Sequence, residues 1–139
     1  MFKKIMVPVD LAHADRMEQA TTAAADLGKH YGIPVVYVGV TAPTPGPIAH
    51  TPQEFASKLQ AFAADQASKH GHQTSSHSVV SHDPAIDLDD ALLGAVDEVG
   101  ADLVVMASHI PNVADHIWPS NGGYIASHSK SSVFIVRMA

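Results

Sequence analysis

Short apolar runs alternate with longer amphipathic stretches along this chain. Residues 5–9 (Ile-Met-Val-Pro-Val) form a continuous apolar run of strand length that stops at Asp10. Residues 34–40 (Pro-Val-Val-Tyr-Val-Gly-Val), 102–106 (Asp-Leu-Val-Val-Met) and 133–137 (Val-Phe-Ile-Val-Arg) repeat the pattern. Continuous apolar runs suit strands buried on both faces of a parallel sheet better than half-exposed antiparallel strands, which alternate. Residues 74–80 do alternate small polar and apolar side chains, which predicts a weaker strand at a sheet edge.

The intervening stretches carry helix signals. A first helix is expected from Asp15, with Glu18 completing a capping box. Met17, Ala20, Thr21, Ala24 and Leu27 mark its apolar face, and Gly28 or Gly32 ends it. Thr51-Pro52-Gln53-Glu54 is the clearest helix start: Thr51 can cap, Pro52 suits the first helical position and Glu54 can reach back. Phe55, Leu59, Phe62 and Ala63 form its buried stripe, and it fades at His70-Gly71. Asp83-Pro84 opens a third helix, lined by Ile86, Leu92, Leu93, Val96 and Val99 and closed by Gly100. A short fourth helical run follows Gly122-Gly123, while the stretch with Pro43, Pro45 and Pro47 is too proline-rich to be regular.

Strands separated by helices cannot be hairpins, so the sheet is mostly parallel with right-handed crossovers. The predicted class is α/β, a three-layer doubly wound domain of five strands and about four helices spanning residues 1–139. Such sheets bind ligands at strand carboxyl ends where the winding reverses. Asp10 and the loop after Met106 both follow strand carboxyl ends, and that loop runs into a helix start, where free N–H groups and the helix dipole favour an anion.

Composition narrows the classes. The formal charge is −6 with no basic stripe, which argues against nucleic-acid binding. Without cysteine there is no disulfide, thiolate chemistry or Cys-based metal site. No apolar run approaches the roughly 18–20 residues of a membrane span, and the N-terminal residues lack a signal-peptide pattern. A soluble cytoplasmic protein is the expectation. Ten histidines are many for this length, but His70, His72 and His77 lack a carboxylate at ligand spacing and read as solvated surface, with no metal expected. The carboxylates Asp83, Asp87, Asp89 and Asp90 read as a solvated face near a helix N-terminus. Ser108 and Ser120 sit in no nucleophile elbow.

Residues 5–10 (Ile-Met-Val-Pro-Val-Asp), 102–109 (Asp-Leu-Val-Val-Met-Ala-Ser-His) and 132–137 (Ser-Val-Phe-Ile-Val-Arg) together resemble the universal stress protein family. The resemblance covers essentially the whole chain, with residues 41–82 matching only in pattern. It implies strand order 3-2-1-4-5, a cytoplasmic stress-associated role and a homodimer through the last strand, residues 133–137. It also implies ATP binding, with Mg²⁺, and no general catalytic reaction beyond at most weak ATPase or autophosphorylation activity. The implied ligand-binding set is Pro8, Val9, Asp10, Val40, Met106, Ala107, Ser108, His109, Ser120, Asn121 and Gly122. Within it Asp10 would meet the ribose, Val9 and Val40 the adenine, and the N–H groups of Ser120, Asn121 and Gly122 the phosphates. A second reading leaves Asp10 only capping the turn after the first strand.

In ATP-binding members the fourth-strand loop carries a Gly-x2-Gly-x8/9-Gly-Ser/Thr pattern. Here those positions hold Ala107, Ile110, Pro119 and Ser120, so the glycines are replaced and the hydroxyl is kept. The chain keeps Ala107-Ser108-His109, Pro111 and Ser120-Asn121, as in a short-loop subclass, with proline at 119. Proline lacks an N–H and fixes φ. Losing one charge-assisted bond costs roughly 1.5–3 kcal/mol, or about 10- to 100-fold in affinity. No Lys or Arg lies between Met106 and Ser129, which leaves His109, His116, His128, a helix dipole or Mg²⁺ to answer phosphate charge. Trp118 stacks on a ligand or partner, plugs the emptied site, or anchors the helix start; Gly122-Gly123 serves either ligand approach or tight helix packing. Two functions follow: a dimeric nucleotide-binding stress regulator, or an interaction scaffold of the same fold that binds no nucleotide.

Overall fold

The computed structural model describes residues 1–108 and 121–137. Strand β1 (Ile5–Pro8) is buried at all four positions, as its unbroken apolar run requires. It pairs in parallel with β2 (Val35–Thr41) on one side and β4 (Leu103–Ser108) on the other. The register sets Val7 beside Tyr37 and Met6 beside Val104. Outside these lie β3 (Thr74–Val80) and β5 (Ser132–Arg137), giving the order β3-β2-β1-β4-β5 with every pair parallel. This is the predicted doubly wound sheet.

Among the described residues four α-helices cover it: α1 (Glu18–Tyr31), α2 (Pro52–His70), α3 (Pro84–Val99) and α4 (Asn121–His128). Right-handed crossovers place α1 and α2 on one face and α3 and α4 on the other, and the members of each pair touch. The winding reverses between β1 and β4. The core is the apolar layer on either side of the three central strands, with Ile5, Met6, Tyr37, Leu59, Leu92, Met106 and Ile125 fully buried. Each large apolar side chain so buried contributes about 1.5–3 kcal/mol.

Two local expectations need correction. The first helix is not capped at Asp15. A 3-10 segment, Leu11–Met17, begins directly after the strand, with Asp10 as its cap, and α1 follows from Glu18 without a side-chain cap. The carboxylate nearest the strand end meets the first free N–H groups, so the turn starts there. Of the two glycines offered as its end, Gly32 closes the first helix, with φ at +66°, while Gly28 packs under Val35 within the helix. Ile86 is 79% exposed and does not line α3. It lies six residues before Leu92, about 120° round the helix from the buried stripe.

The α2 start forms as its sequence predicts. The Thr51 hydroxyl accepts from Glu54 N at 3.1 Å, and Glu54 reaches back to His50 N at 3.2 Å. Phe55, Leu59 and Ala63 are buried, and Phe62 sits edge-on to Tyr37 with ring centroids 5.4 Å apart.

Candidate functional site

A cavity of about 390 Å³ opens at the carboxyl ends of β1 and β2, within the range of small-molecule sites. Val9 to Ala12 form one wall and Val40 and Thr41 another. The proline-rich segment after β2 curls over it through Pro45, Pro47 and Ile48, while Phe55 of α2 and Pro84 and Leu88 of α3 complete it. Phe55 reaches this position because β2 carries glycine at 39: a Cβ there would stand 2.8 Å from the ring. The proline-rich segment is tied down by Gly46 N donating to Ala49 O at 2.9 Å and by Lys58 Nζ donating to Ile48 O. Lys58 also faces Glu54 at 3.4 Å. The His50 N–H, helped by Lys58, holds the Glu54 carboxyl below its usual range.

Asp10 is the only ionisable side chain on the described wall. Its Oδ1 accepts from Ala12 N at 3.0 Å and its Oδ2 meets His13 Nδ1 at 2.9 Å. The carboxylate therefore caps the turn and borders the cavity at once. Each carboxylate oxygen offers about two acceptor sites, so among the described residues one on each remains for a further donor.

Of the residues named from sequence, the structure brings Val9, Asp10 and Val40 together on this wall. Pro8, Met106 and Ala107 are buried within the sheet. Ser108 ends β4, with Arg137 Nη1 donating to its Oγ at 3.4 Å. Gly122 is buried against β5: a Cβ would stand 2.9 Å from Ile135 Cδ1, so the missing side chain serves close packing of α4 on the sheet, one of the two uses read for it. Asn121 opens α4. His109 and Ser120, with Ile110, Pro111, His116, Trp118 and Pro119, lie outside the described residues.

His128 cannot serve an anion at the start of α4. It is the last residue of that helix, roughly 10 Å from the first, stacked on Tyr124 with its Nδ1 on the Tyr124 carbonyl at 2.9 Å. Beside it, the Tyr124 hydroxyl donates to Asp90 Oδ1 at 2.8 Å, which raises the phenol's pKa. Nor are the α3 carboxylates uniformly solvated. Burial, then the charge of Asp90, pushes the Asp89 carboxyl up.

The reading of the histidines as solvated surface is also corrected. His72 is buried, its Nε2 3.0 Å from the Tyr37 hydroxyl, and His77 pairs with Glu98 at 2.8 Å. No group of three or more His, Asp or Glu side chains gathers at metal-binding distance among the described residues. None of the described helices is long and apolar enough to cross a membrane.

The proline-rich segment, Phe55, Pro84 and Leu88 were missed as site residues. A usable signal was there: a proline-rich segment leaving the carboxyl end of the strand beside β1 must run over that end of the sheet.

The fold and this cavity define a doubly wound α/β domain with a small-molecule cleft at the strand carboxyl ends, beside the point where the winding reverses. The universal stress protein family model matches residues 1–137, and the chain belongs to that family. Among solved structures it is similar to a universal stress protein in complex with cAMP, at 21% identity and TM-score 0.74, covering 99% of each chain. It is also similar to the Archaeoglobus fulgidus universal stress protein in complex with dAMP, at 22% identity and TM-score 0.67, covering 96% of each. An Arabidopsis thaliana family protein with AMP bound matches at 13% identity and TM-score 0.64, covering 99% of this chain and 92% of the other. A comparison with curated protein sequences found no match.

Proposed function

We propose that this chain is a dimeric stress-response regulator in the cytoplasm that binds an adenine nucleotide, with the adenosine part in the cavity at the carboxyl ends of β1 and β2. The observation that carries the reading is that cavity: about 390 Å³, largely apolar, with Asp10 the one carboxyl side chain among its described lining residues. An apolar slot suits a purine, and a carboxylate with free acceptor sites suits ribose hydroxyls. Three structures similar in fold hold cAMP, dAMP and AMP, which adds support.

Affinity for ATP is weak and depends on Mg²⁺. No Lys or Arg occurs between Met106 and Ser129, and the described wall offers no cation. Mg²⁺ on the phosphates lowers the charge that the chain leaves unanswered. No catalytic step is assigned. Pairing of β5 with a second copy supplies the dimer; Phe134 and Ile135 on that edge strand are 46% and 40% exposed.

One observation favours the scaffold reading: both oxygens of Asp10 already have partners, so the residue has a structural role without any ligand. The deciding experiment is to denature the purified protein and assay released adenine nucleotide, then to titrate adenosine, AMP and ATP with and without Mg²⁺ by calorimetry. Bound nucleotide, or heat from AMP and adenosine at submillimolar concentration, is the expected result. No release and no heat at millimolar ligand decides for the scaffold.

A further inference from the structure

We propose that His13 is a positioning residue for the cavity: through Nδ1 it holds the Asp10 carboxylate in the orientation that presents one free acceptor site on each oxygen to a vicinal diol. The inference rests on the nucleoside reading above and concerns the share of affinity that a free ribose 2′,3′-diol adds.

The local chain geometry makes the contact. Asp10 caps the 3-10 segment, and His13 N donates to Asp10 O at 3.0 Å. His13 itself leaves helical geometry at φ −129° and ψ 27°, and its ring turns back to Asp10 Oδ2 at 2.9 Å. Asp10 lies on the cavity wall with Val9, Leu11 and Ala12, whereas His13 is not among the residues that line it. The histidine therefore reaches a ligand only through the carboxylate.

Two holds fix that carboxylate: Ala12 N on Oδ1 and His13 Nδ1 on Oδ2. A terminal carboxylate torsion is otherwise broad, so one hold alone lets it rotate. A diol needs both oxygens placed at once and gains from the second hold, since prepaid ordering strengthens binding. A bare purine base needs neither oxygen. The effect of His13 must therefore appear with diol ligands and vanish without the diol, which general damage to the turn would not produce.

The test is calorimetry at pH 8 on the full chain, comparing wild type, His13→Ala, His13→Asn, Asp10→Ala and the His13→Ala/Asp10→Ala double variant. The ligands are adenosine, 2′,3′-dideoxyadenosine and adenine. His13→Ala is expected to weaken adenosine by about 5- to 10-fold, the scale of one net hydrogen bond, and to leave the other two ligands within about 2-fold. The Asn amide nitrogen, attached at the same position as Nδ1, restores part of the loss. In the Asp10→Ala background His13→Ala costs nothing further. Unchanged adenosine affinity in His13→Ala, an equal loss for adenine, or a full additional loss on top of Asp10→Ala overturns the role of His13 alone. No heat from wild type with any of the three ligands overturns the nucleoside reading itself and this inference with it.

Discussion

His72 is the residue whose environment most contradicts its type. It is 9% exposed, its Nε2 meets the Tyr37 hydroxyl, and its Nδ1 has no hydrogen-bond partner among the described residues. Burial, and then the neighbouring His70 and Lys29, lowers its pKa from 6.5. Burial likewise pushes the Tyr37 hydroxyl up, so the phenol stays protonated as a partner for the ring. The unfolded chain thus takes up a proton at His72 at a higher pH than the folded chain does. Its contribution to stability is fully present above about pH 6.5 and is lost progressively as pH falls below that, until the folded chain also protonates. Urea unfolding from pH 8 to 5 should show this loss, and His72→Gln, though less stable at pH 8, should show a shallower acid slope. Parallel slopes would remove His72 as the source. None of this was legible in the His-x-His spacing, because burial depends on where β3 begins against β2 and α2, not on local pattern. A second residue-scale consequence concerns Gly39. A Cβ there meets Phe55 Cζ at 2.8 Å and Cε1 at 2.9 Å, and an aromatic ring cannot fold away as a flexible side chain can. Gly39→Ala should cost about 1–3 kcal/mol, read as a lowered Tm, and should weaken any cavity ligand, since Phe55 is part of the wall.

Among the elements, helix starts were legible where one strong cap stood alone, and misread where two competed. Thr51-Pro52-Gln53-Glu54 had no rival, and Thr51 caps α2 as its sequence implies. Thr51→Ala should destabilise the fold by about 1 kcal/mol, measurable by chemical unfolding, and should loosen the cavity rim that Glu54 and Lys58 brace. An unchanged midpoint would mean that the Pro52 start suffices without the hydroxyl. At the first helix, Asp10 and Asp15 competed, and the nearer carboxylate won because Ala12 N and His13 are within its reach while Met17 is drawn into the core. Its place at the end of β1 explains why Asp10 could be read from sequence either as a cap or as a ligand contact: the structure shows the cap, and the same carboxylate borders the cavity. The remaining cavity wall was illegible for a different reason. An irregular proline-rich segment carries no periodicity, so only its place after β2 reveals what it covers.

At the scale of the whole molecule, the alternation of apolar runs with amphipathic stretches was enough for the fold class, since parallel strands need crossovers and crossovers need helices. The strand order came from family resemblance, because periodicity does not say which strands are neighbours. That order leaves β3 and β5 as the two edges, and they differ in a way that bears on assembly. Thr74–Val80 is largely polar, with His77 tied to Glu98, so that edge is poorly suited to apolar pairing. Ser132–Arg137 is largely apolar, and Phe134 and Ile135 stand out from it. An exposed apolar edge is a template for pairing with another chain, and a two-fold axis lets one such strand pair with its own copy. Light scattering on the purified chain should therefore give twice the 14.6 kDa chain mass. Phe134→Glu is the informative variant, because Ile135 also packs over Gly122 and its loss would disturb α4. A carboxylate at 134 meets its symmetry mate or buried apolar surface in a dimer, yet faces water in a single copy. Phe134→Glu should give a 14.6 kDa species with unchanged circular dichroism. A wild-type chain that runs at 14.6 kDa across micromolar concentrations, or a Phe134→Glu dimer as tight as wild type, would place the interface elsewhere or remove it.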